Sequence, residues 1–400
     1  MKQTLSIVII IIPVLFHSQS VYLQTVPFRF RIVTWNVGNS EPDCNTCQHL
    51  AFSSVSDGIK ADLIVFGFQE ASKKMIGLNT FHKTLKTCLE NENYVEIISD
   101  YVGSNIVKPI WLYIYASNII VKSQRVKLLK CGNKPTLKVY QDKILENIIG
   151  YKGVIASCIQ IDKLTNIIFA NMHLPAGEGK KEERCKLWSK FLQIYHANNI
   201  KNDYMFVFGD QNWRTLNTLS INNIIEAVQK KEYKTILDND ELTQMRQNDN
   251  EESTAQCLSN FIEASITFPP TYKYILNSDE YQTEKDKEIR RPSYTDRILI
   301  STLSNNLEIL QYSAMSDIKL SDHRPVFADI MLHQRSSNDE IFAESYNQAK
   351  VHTTQAELLH ILAIYYFVIK CKTRNVDIRQ VSSIDLSGTQ SDRENTVTQN

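Results

Sequence analysis

Met205-Phe206-Val207-Phe208-Gly209-Asp210-Gln211-Asn212-Trp213-Arg214 is a short apolar run that stops at a glycine and then delivers an aspartate, an amide and an arginine. It has the pattern of a buried strand with its polar load at the C-terminal end. A carboxylate at that point can take a proton from water. An amide two residues on can hold the water or a phosphate oxygen, and acid–base chemistry requires such positioned groups. A single Gly-Asp-x-Asn turn is more often nothing but a strand followed by a polar turn. Repetition of the pattern elsewhere changes the reading.

Working outward, Phe28 opens an alternating run that ends at Asn36, the apolar run from Asp62 ends at Gln69-Glu70, and the run from Asn166 ends at His173. Strand ends are where a sheet scaffold gathers polar groups from distant parts of a chain. Singly, each residue has a plain structural role: Asn36 as a turn residue, Glu70 as a carboxylate at a helix start, His173 as a satisfied half-buried histidine. Four such coincidences with Asp210 point to a site. Further strands are expected over 106–128 and 153–161. Helical spacing covers Ala71 to Glu92, through Met75, Leu78, Leu85 and Leu89, and Glu182 to His196, with Trp188, Phe191, Leu192 and Tyr195 on one stripe. Part of the polar stretch 239–259 is expected to be a surface loop.

Three later segments carry chemistry-bearing side chains. In Phe268-Pro-Pro-Thr-Tyr-Lys-Tyr two prolines fix the chain while Tyr272 and Lys273 are presented together. The pairing suits a phosphate grip or a proline-rich turn. Arg290 opens a segment in which Asp296 and Arg297 precede another strand, and Ser321-Asp322-His323-Arg324-Pro325 leads into the run Val326 to Leu332. An aspartate beside a histidine suits a metal or phosphate site.

Lysine plus arginine equals aspartate plus glutamate at 44 each, so no global field attracts nucleic acid or an anionic membrane, and any anion site must be a local pocket. With 43% apolar and 22% charged residues the chain has a folded, soluble composition. Cys44 and Cys47 form one CxxC beside Asp43 and His49, which reads as a loop disulfide or free thiols rather than a metal site. Residues 1–20 read as a secretory signal, with Lys2, an apolar core from Leu5 to Phe16 and Ser18-Gln19-Ser20 as the cleavage site. No Asn-x-Ser/Thr acceptor occurs. A body over 28–334 is followed by a polar linker (335–355), a transmembrane or amphipathic segment (356–371) with a basic flank, and a polar disordered tail (376–400). The expected location is the secretory pathway, with the body secreted or anchored on the luminal or extracellular side.

Seven segments in order resemble the inositol polyphosphate 5-phosphatases of the endonuclease/exonuclease/phosphatase superfamily: TWNVGN (34–39), GFQE (67–70), NMHL (171–174), FGDQNWR (208–214), FPPTYKY (268–274), RPSYTDRIL (291–299) and SDHRPV (321–326). The resemblance implies an α/β four-layer sandwich, two mixed sheets face to face with helices outside, and magnesium-dependent hydrolysis of a 5-phosphate on an inositol phosphate or phosphoinositide. It implies Glu70, Asn36 and Asp322 around Mg2+, Asp210 as base, Asn212 orienting water, His173 and His323 on the scissile phosphate, and Asp296 orienting a histidine. Tyr272, Lys273 and Arg290 would hold a 4-phosphate. The chain departs from the family at Glu288, where lysine is frequent, at Gly177, where histidine is common, and at Tyr294, where tryptophan is usual; Lys180, Lys181 and Arg184 are candidates to replace the missing contacts. Rival readings are a secreted nuclease or sphingomyelinase, disfavoured by the neutral charge, and a silent phosphoinositide-binding protein. Membrane association is expected, nucleic acid is not.

Overall fold

The computed structural model describes residues 27–53, 58–71, 80–103, 108–141, 152–247, 260–283, 290–302 and 306–333. In chain order the strands are β1 (Phe28–Asn36), β2 (Leu63–Gln69), β3 (Tyr94–Val102), β4 (Ile110–Ser117), β5 (Val126–Leu129), β6 (Thr136–Tyr140), β7 (Gly153–Ile161), β8 (Thr165–His173), β9 (Tyr204–Asp210), β10 (Asp296–Thr302), β11 (Leu307–Ala314) and β12 (Val326–Leu332). One sheet has the order β11-β12-β1-β2-β4-β3, and the other β10-β9-β8-β7-β5 with β6 also paired to β7.

Parallel neighbours need a crossover, and each sheet has one that contains a helix. Between β1 and β2 runs the helix Cys44–Phe52, and between β8 and β9 the helix Lys181–Ala197. The first packs Cys47, Leu50 and Ala51 under the β1–β2 face, and the second packs Trp188, Phe191 and Tyr195 on the opposite sheet. Leu192 is only partly buried there. The inner faces meet through Phe30, whose ring lies 5.3 Å from Phe206 and 5.7 Å from Phe169, both edge-on. Such edge-to-face contacts suit the ring quadrupoles. Helix, sheet, sheet and helix make the expected four layers.

Because β1, β2, β8 and β9 are covered on both faces, they read as nearly continuous apolar runs. All seven residues of β9 are buried. The sheets approach most tightly at Gly67, where a Cβ would come within 2.5 Å of the Phe208 ring and 2.6 Å of the Asn171 amide. Just above it Gln69 Nε2 donates to Asn171 Oδ1 (2.7 Å) and Thr34 Oγ1 (3.1 Å), while Asn171 Nδ2 donates to the Trp111 carbonyl (2.7 Å). This buried network ties the two sheets at the end where the polar residues gather.

Two expectations need correction. Residues 106–128 contain β4 and part of β5 separated by the helix Asn118–Lys122, whose start Ser117 caps. Arg184 is buried, not presented to a ligand: it bonds Glu241 and the carbonyls of Pro175 and Gly177. The polar stretch 239–259, part of which is expected to be loop, opens with the helix Glu241–Gln247, held by buried Leu242 and Met245, and its residues 248–259 lie outside the described residues. The signal at 1–20, Glu288, and the segments 335–355, 356–371 and 376–400 lie outside the described residues. Among the described residues no helix is long and apolar enough to cross a membrane.

Candidate active site

Register brings the polar strand ends together. Asn36 pairs with Gln69, His173 with Asp210, and Asp296 with Asp210 on its other side. Gly209, one residue before Asp210, has φ +140°, and a Cβ there would sit 1.9 Å from the Met172 carbonyl oxygen. Only glycine lets β9 lie this close to β8 at that point. Asn212 follows with φ +57°, turning the chain so that its own N–H donates to Asp210 Oδ1 (3.2 Å) and its side chain donates to the Leu174 carbonyl (3.1 Å).

Asp210 is buried, and its Oδ2 accepts from Asn36 Nδ2 at 3.0 Å and lies 3.1 Å from His173 Nε2 and 4.0 Å from His323 Nε2. Burial alone would raise its pKa, but His323 and His173 hold the carboxyl well below the usual carboxylate range. The other face of His323 meets Asp296: Nδ1 lies 2.9 Å from Asp296 Oδ2, which also accepts from Thr271 (2.6 Å) and Thr295 (2.9 Å). Burial works against a charged imidazole, yet Asp296 and Asp210 outweigh it and lift His323 to about 9. The imidazolium is thus fixed at Nδ1 by Asp296, with Nε2 turned toward Asp210 at 4.0 Å. His173 goes the other way, its pKa lowered by burial and by Lys152, whose ammonium meets His173 Nε2. Burial also pushes Lys152 down to about 8 against the pull of Asp210 and Glu70.

Two loops close over this centre. The Ser321-Asp322-His323 loop is pinned to β1 by Ser321 Oγ on the Asn36 carbonyl (2.7 Å) and by Trp35 Nε1 on the His323 carbonyl (3.1 Å). The segment carrying Tyr272 and Lys273 runs beside it, with Arg324 N on the Thr271 carbonyl and Tyr274 N on the Asp322 carbonyl, both 2.9 Å. The Tyr272 ring lies 4.4 Å from the His323 ring and 4.8 Å from the Arg214 guanidinium. Arg214 in turn donates to Asn212 Oδ1. Burial raises the Tyr272 pKa, opposed by the charges of Arg214 and Arg290.

Gly38, Glu70, Lys108, Lys273 and Asp322 line a cavity of about 530 Å³, with Ile275 and Leu276 on its wall. Asn36 connects it to the centre beneath, since its Oδ1 accepts from Gly38 N (3.1 Å) while its Nδ2 holds Asp210. Burial resists ionisation of Glu70, but His173, Lys108 and Lys152 bring its pKa below the ordinary value, and Lys108 forms an ion pair with it. Asp322 Oδ2 lies 3.9 Å from Lys273 Nζ. The cavity lining presents hard carboxylate oxygens of Glu70 and Asp322, a donor type that suits a hard divalent cation. Asp210, Asp296 and His323 also cluster within 4.8 Å. There Asp296 Oδ2 is already committed to Thr271, Thr295 and His323, as suits an orienting carboxylate, while its buried Oδ1 has no hydrogen-bond partner among the described residues.

Every site residue named from the sequence is therefore at this end of the sandwich, with Asp210, Asn36, Asn212, His173, His323 and Asp296 in direct contact. Arg290 bears on Tyr272 through its charge. Lys152, Lys108, Thr271, Thr295 and Arg214 join the site without a prior signal for the role. Lys152 reaches His173 because Gly153 pairs with His173 across β7 and β8.

A human phosphatidylinositol 4,5-bisphosphate 5-phosphatase A is 29% identical over 350 residues, covering 79% of this chain and 32% of the relative. The chain thus spans about a third of the length of the curated relatives it first matches. Among solved structures, the inositol polyphosphate 5-phosphatase domain of SPsynaptojanin, in complex with inositol (1,4)-bisphosphate and calcium ion, superposes with a TM-score of 0.59 at 22% identity, covering 81% of this chain and 91% of that one. A Cimex nitrophorin, as its ferrous NO complex, gives 0.58 at 19% identity, with 77% and 99% covered. Both structures establish the fold, and they hold quite different ligands. Residues 33–329, from the middle of β1 to β12, match the Endonuclease/Exonuclease/phosphatase family 2, and the chain belongs to that family.

Proposed function

We propose that this chain is a phosphoric monoester hydrolase that removes the 5-phosphate of an inositol ring, with Mg2+ as its cofactor. One observation carries the reading: Asp210, held by an amide and two histidines, lies beneath a 530 Å³ cavity that presents Glu70 and Asp322 together with Lys273. That volume is in the range of small-ligand sites, about 300–1,000 Å³. A silent binding module has no use for such a base. The names of the relatives, phosphatidylinositol 4,5-bisphosphate 5-phosphatase A and synaptojanin, support the substrate class.

In this reading the cationic His323 and Lys152 face the phosphoryl oxygens, and Asp210 takes a proton from water as its oxygen bonds phosphorus and the inositol oxygen departs. Asn212 orients the water, with Arg214 fixing the amide. His173, held neutral, bonds the phosphate rather than competing for the proton. Mg2+ bound at Glu70, Asp322 and Asn36 would supply Lewis-acid neutralisation of the phosphate charge. Tyr272, Lys273 and Arg290 hold a neighbouring 4-phosphate.

We place the body in the secretory pathway, secreted or tethered to a membrane. The cystines Cys44–Cys88 and Cys131–Cys158 support this, because such bonds persist in oxidising compartments. Phosphate release from inositol 1,4,5-trisphosphate and from phosphatidylinositol 4,5-bisphosphate vesicles, with duplex DNA in parallel, tests the function. Release that needs Mg2+ and stops on chelation is expected. Cut DNA with no phosphate release would move the chain to the nucleases.

A further inference from the structure

Lys108 is a cation held on the very carboxylate that a divalent ion would take. Register puts it there: β2 and β4 run antiparallel with Phe68 against Trp111, so the residues just before β4 meet the end of β2, where Glu70 stands. The backbone at this point is firm. Trp111 Nε1 donates to the Ala71 carbonyl at 3.3 Å, Pro109 is buried, and the Glu70 carbonyl accepts from Asn39 N at 3.1 Å. The Lys108 side chain is 40% exposed, on a flexible stem, and its ammonium pairs with Glu70 on the wall of the cavity. On the same cavity Lys273 stands 3.9 Å from Asp322. Each carboxylate offered to a cation thus has an ammonium beside it. Lys108 is also close to the buried centre, because its charge joins burial in pushing down Lys152, the lysine that meets His173.

We infer that Lys108 is an exchange lysine: it neutralises Glu70 while no divalent ion is bound there, and it moves onto the phosphate to be cleaved once Glu70 holds that ion. The inference rests on the function proposed above and adds a substrate-binding residue to that site. Charge sets the direction of the exchange. A doubly charged ion attracts the Glu70 carboxylate about twice as strongly as an ammonium at the same distance. A partly exposed ion pair is weak, so Lys108 gives up Glu70 at little cost. Its three N–H donors then need another acceptor, and the ion repels them from Glu70. The anion at hand is the phosphoryl group that lies over Asp210, the same group that His323 and Lys152 face. Ion and phosphate are thereby linked through one side chain. Lys108 opposes the ion when the cavity is empty of substrate and holds the phosphate when the ion is in place, so each of the two ligands tightens the other.

The test is calorimetric titration of the full chain carrying Asp210→Asn, which binds substrate without turnover, against the same chain also carrying Lys108→Met. Mg2+ alone should bind the Lys108→Met chain about fivefold more tightly, since its competitor is gone. Inositol 1,4,5-trisphosphate at saturating Mg2+ should bind that chain about tenfold or more weakly, for want of one charge-assisted hydrogen bond. In EDTA both chains should bind the trisphosphate alike, because Lys108 is then held on Glu70. Lys108→Arg keeps the charge and should keep the parent's Mg2+ affinity. Opposite signs for the two ligands separate exchange from misfolding, which weakens both. Unchanged or weaker Mg2+ binding by Lys108→Met overturns the inference, as do equal trisphosphate affinities at saturating Mg2+, and either result leaves the phosphatase reading intact. A parent chain that binds neither Mg2+ nor the trisphosphate overturns that reading, and the inference with it.

Discussion

Asn36 Nδ2 donates to Asp210 Oδ2 at 3.0 Å, joining the end of β1 in one sheet to the end of β9 in the other. With the Gln69–Asn171 network beside it, this bond sets the base relative to the sheet that leads to Glu70. Asp210→Asn keeps the shape and removes the base, so turnover should fall about 10²- to 10⁴-fold while the circular dichroism spectrum stays that of the wild type. A folded Asp210→Asn protein with ordinary turnover would sink the mechanism.

Lys273 lines the cavity, and among the described residues its ammonium has a long 3.9 Å ion pair to Asp322, which leaves it able to meet a ligand. Charge-assisted hydrogen bonds contribute roughly 1.5–3 kcal/mol, or about 10- to 150-fold. Lys273→Ala should lower kcat/KM by that factor on rings bearing a 4-phosphate and leave rings without one nearly unaffected. Equal losses on both would remove the assignment.

Arg297 serves structure, although it lies beside Asp296. It is buried, with Nη1 on Asp240 Oδ2 (2.8 Å) and a fork onto Glu263 at 2.7 and 2.6 Å. Arg297→Ala leaves buried Asp240 without its Arg297 cation and Glu263 with the longer 3.8 Å pair to Arg246, and should cost roughly 3–5 kcal/mol of stability. Urea unfolding followed by fluorescence reads this directly, and a midpoint like that of the wild type contradicts it.

The cystines Cys44–Cys88 and Cys131–Cys158 close loops of 44 and 27 residues. Removing either by Cys→Ser pairs should cost about 2–5 kcal/mol, and a non-reducing peptide map should recover both links. Cys47 should remain a thiol, because burial, with Asp43 nearby, pushes its pKa up to about 12. Iodoacetamide at about pH 8 should label it only after unfolding; rapid labelling of the native protein would show the burial to be wrong.

Gly209→Ala tests the close approach of β8 and β9. Its φ of +140° and the Met172 carbonyl 1.9 Å from the new Cβ leave no low-energy accommodation. Little soluble protein is expected, and a stable, active Gly209→Ala enzyme would refute the packing.

The parts of the fold readable from the sequence are the parts buried on both sides. β1, β2, β8 and β9 announce themselves as apolar runs ending in polar residues, and those ends meet at the site. β3, β6 and β11 escaped notice because their residues are mostly half-buried, and β3 and β11 are sheet edges, where one face is wet and the alternation is diluted. Within the site, Asp210 and His323 were legible by motif. Lys152 was not, since a lysine before a strand looks like any solvated charge until the β7–β8 register sets it against His173. Thr271 and Thr295 were equally silent: a hydroxyl that orients a carboxylate has no pattern of its own.

β1 lies between β2 and β12, and its register with β12 runs from Phe28 against Leu332 to Thr34 against Val326. The first strand of the body thus waits for the last. On a ribosome, β1 and β2 emerge early, yet one flank of β1 stays open until almost the whole body has been synthesised. Such distant pairing makes folding slow and leaves apolar edges uncovered meanwhile. Removing the seven residues of β12 would leave that flank of β1 without its partner strand.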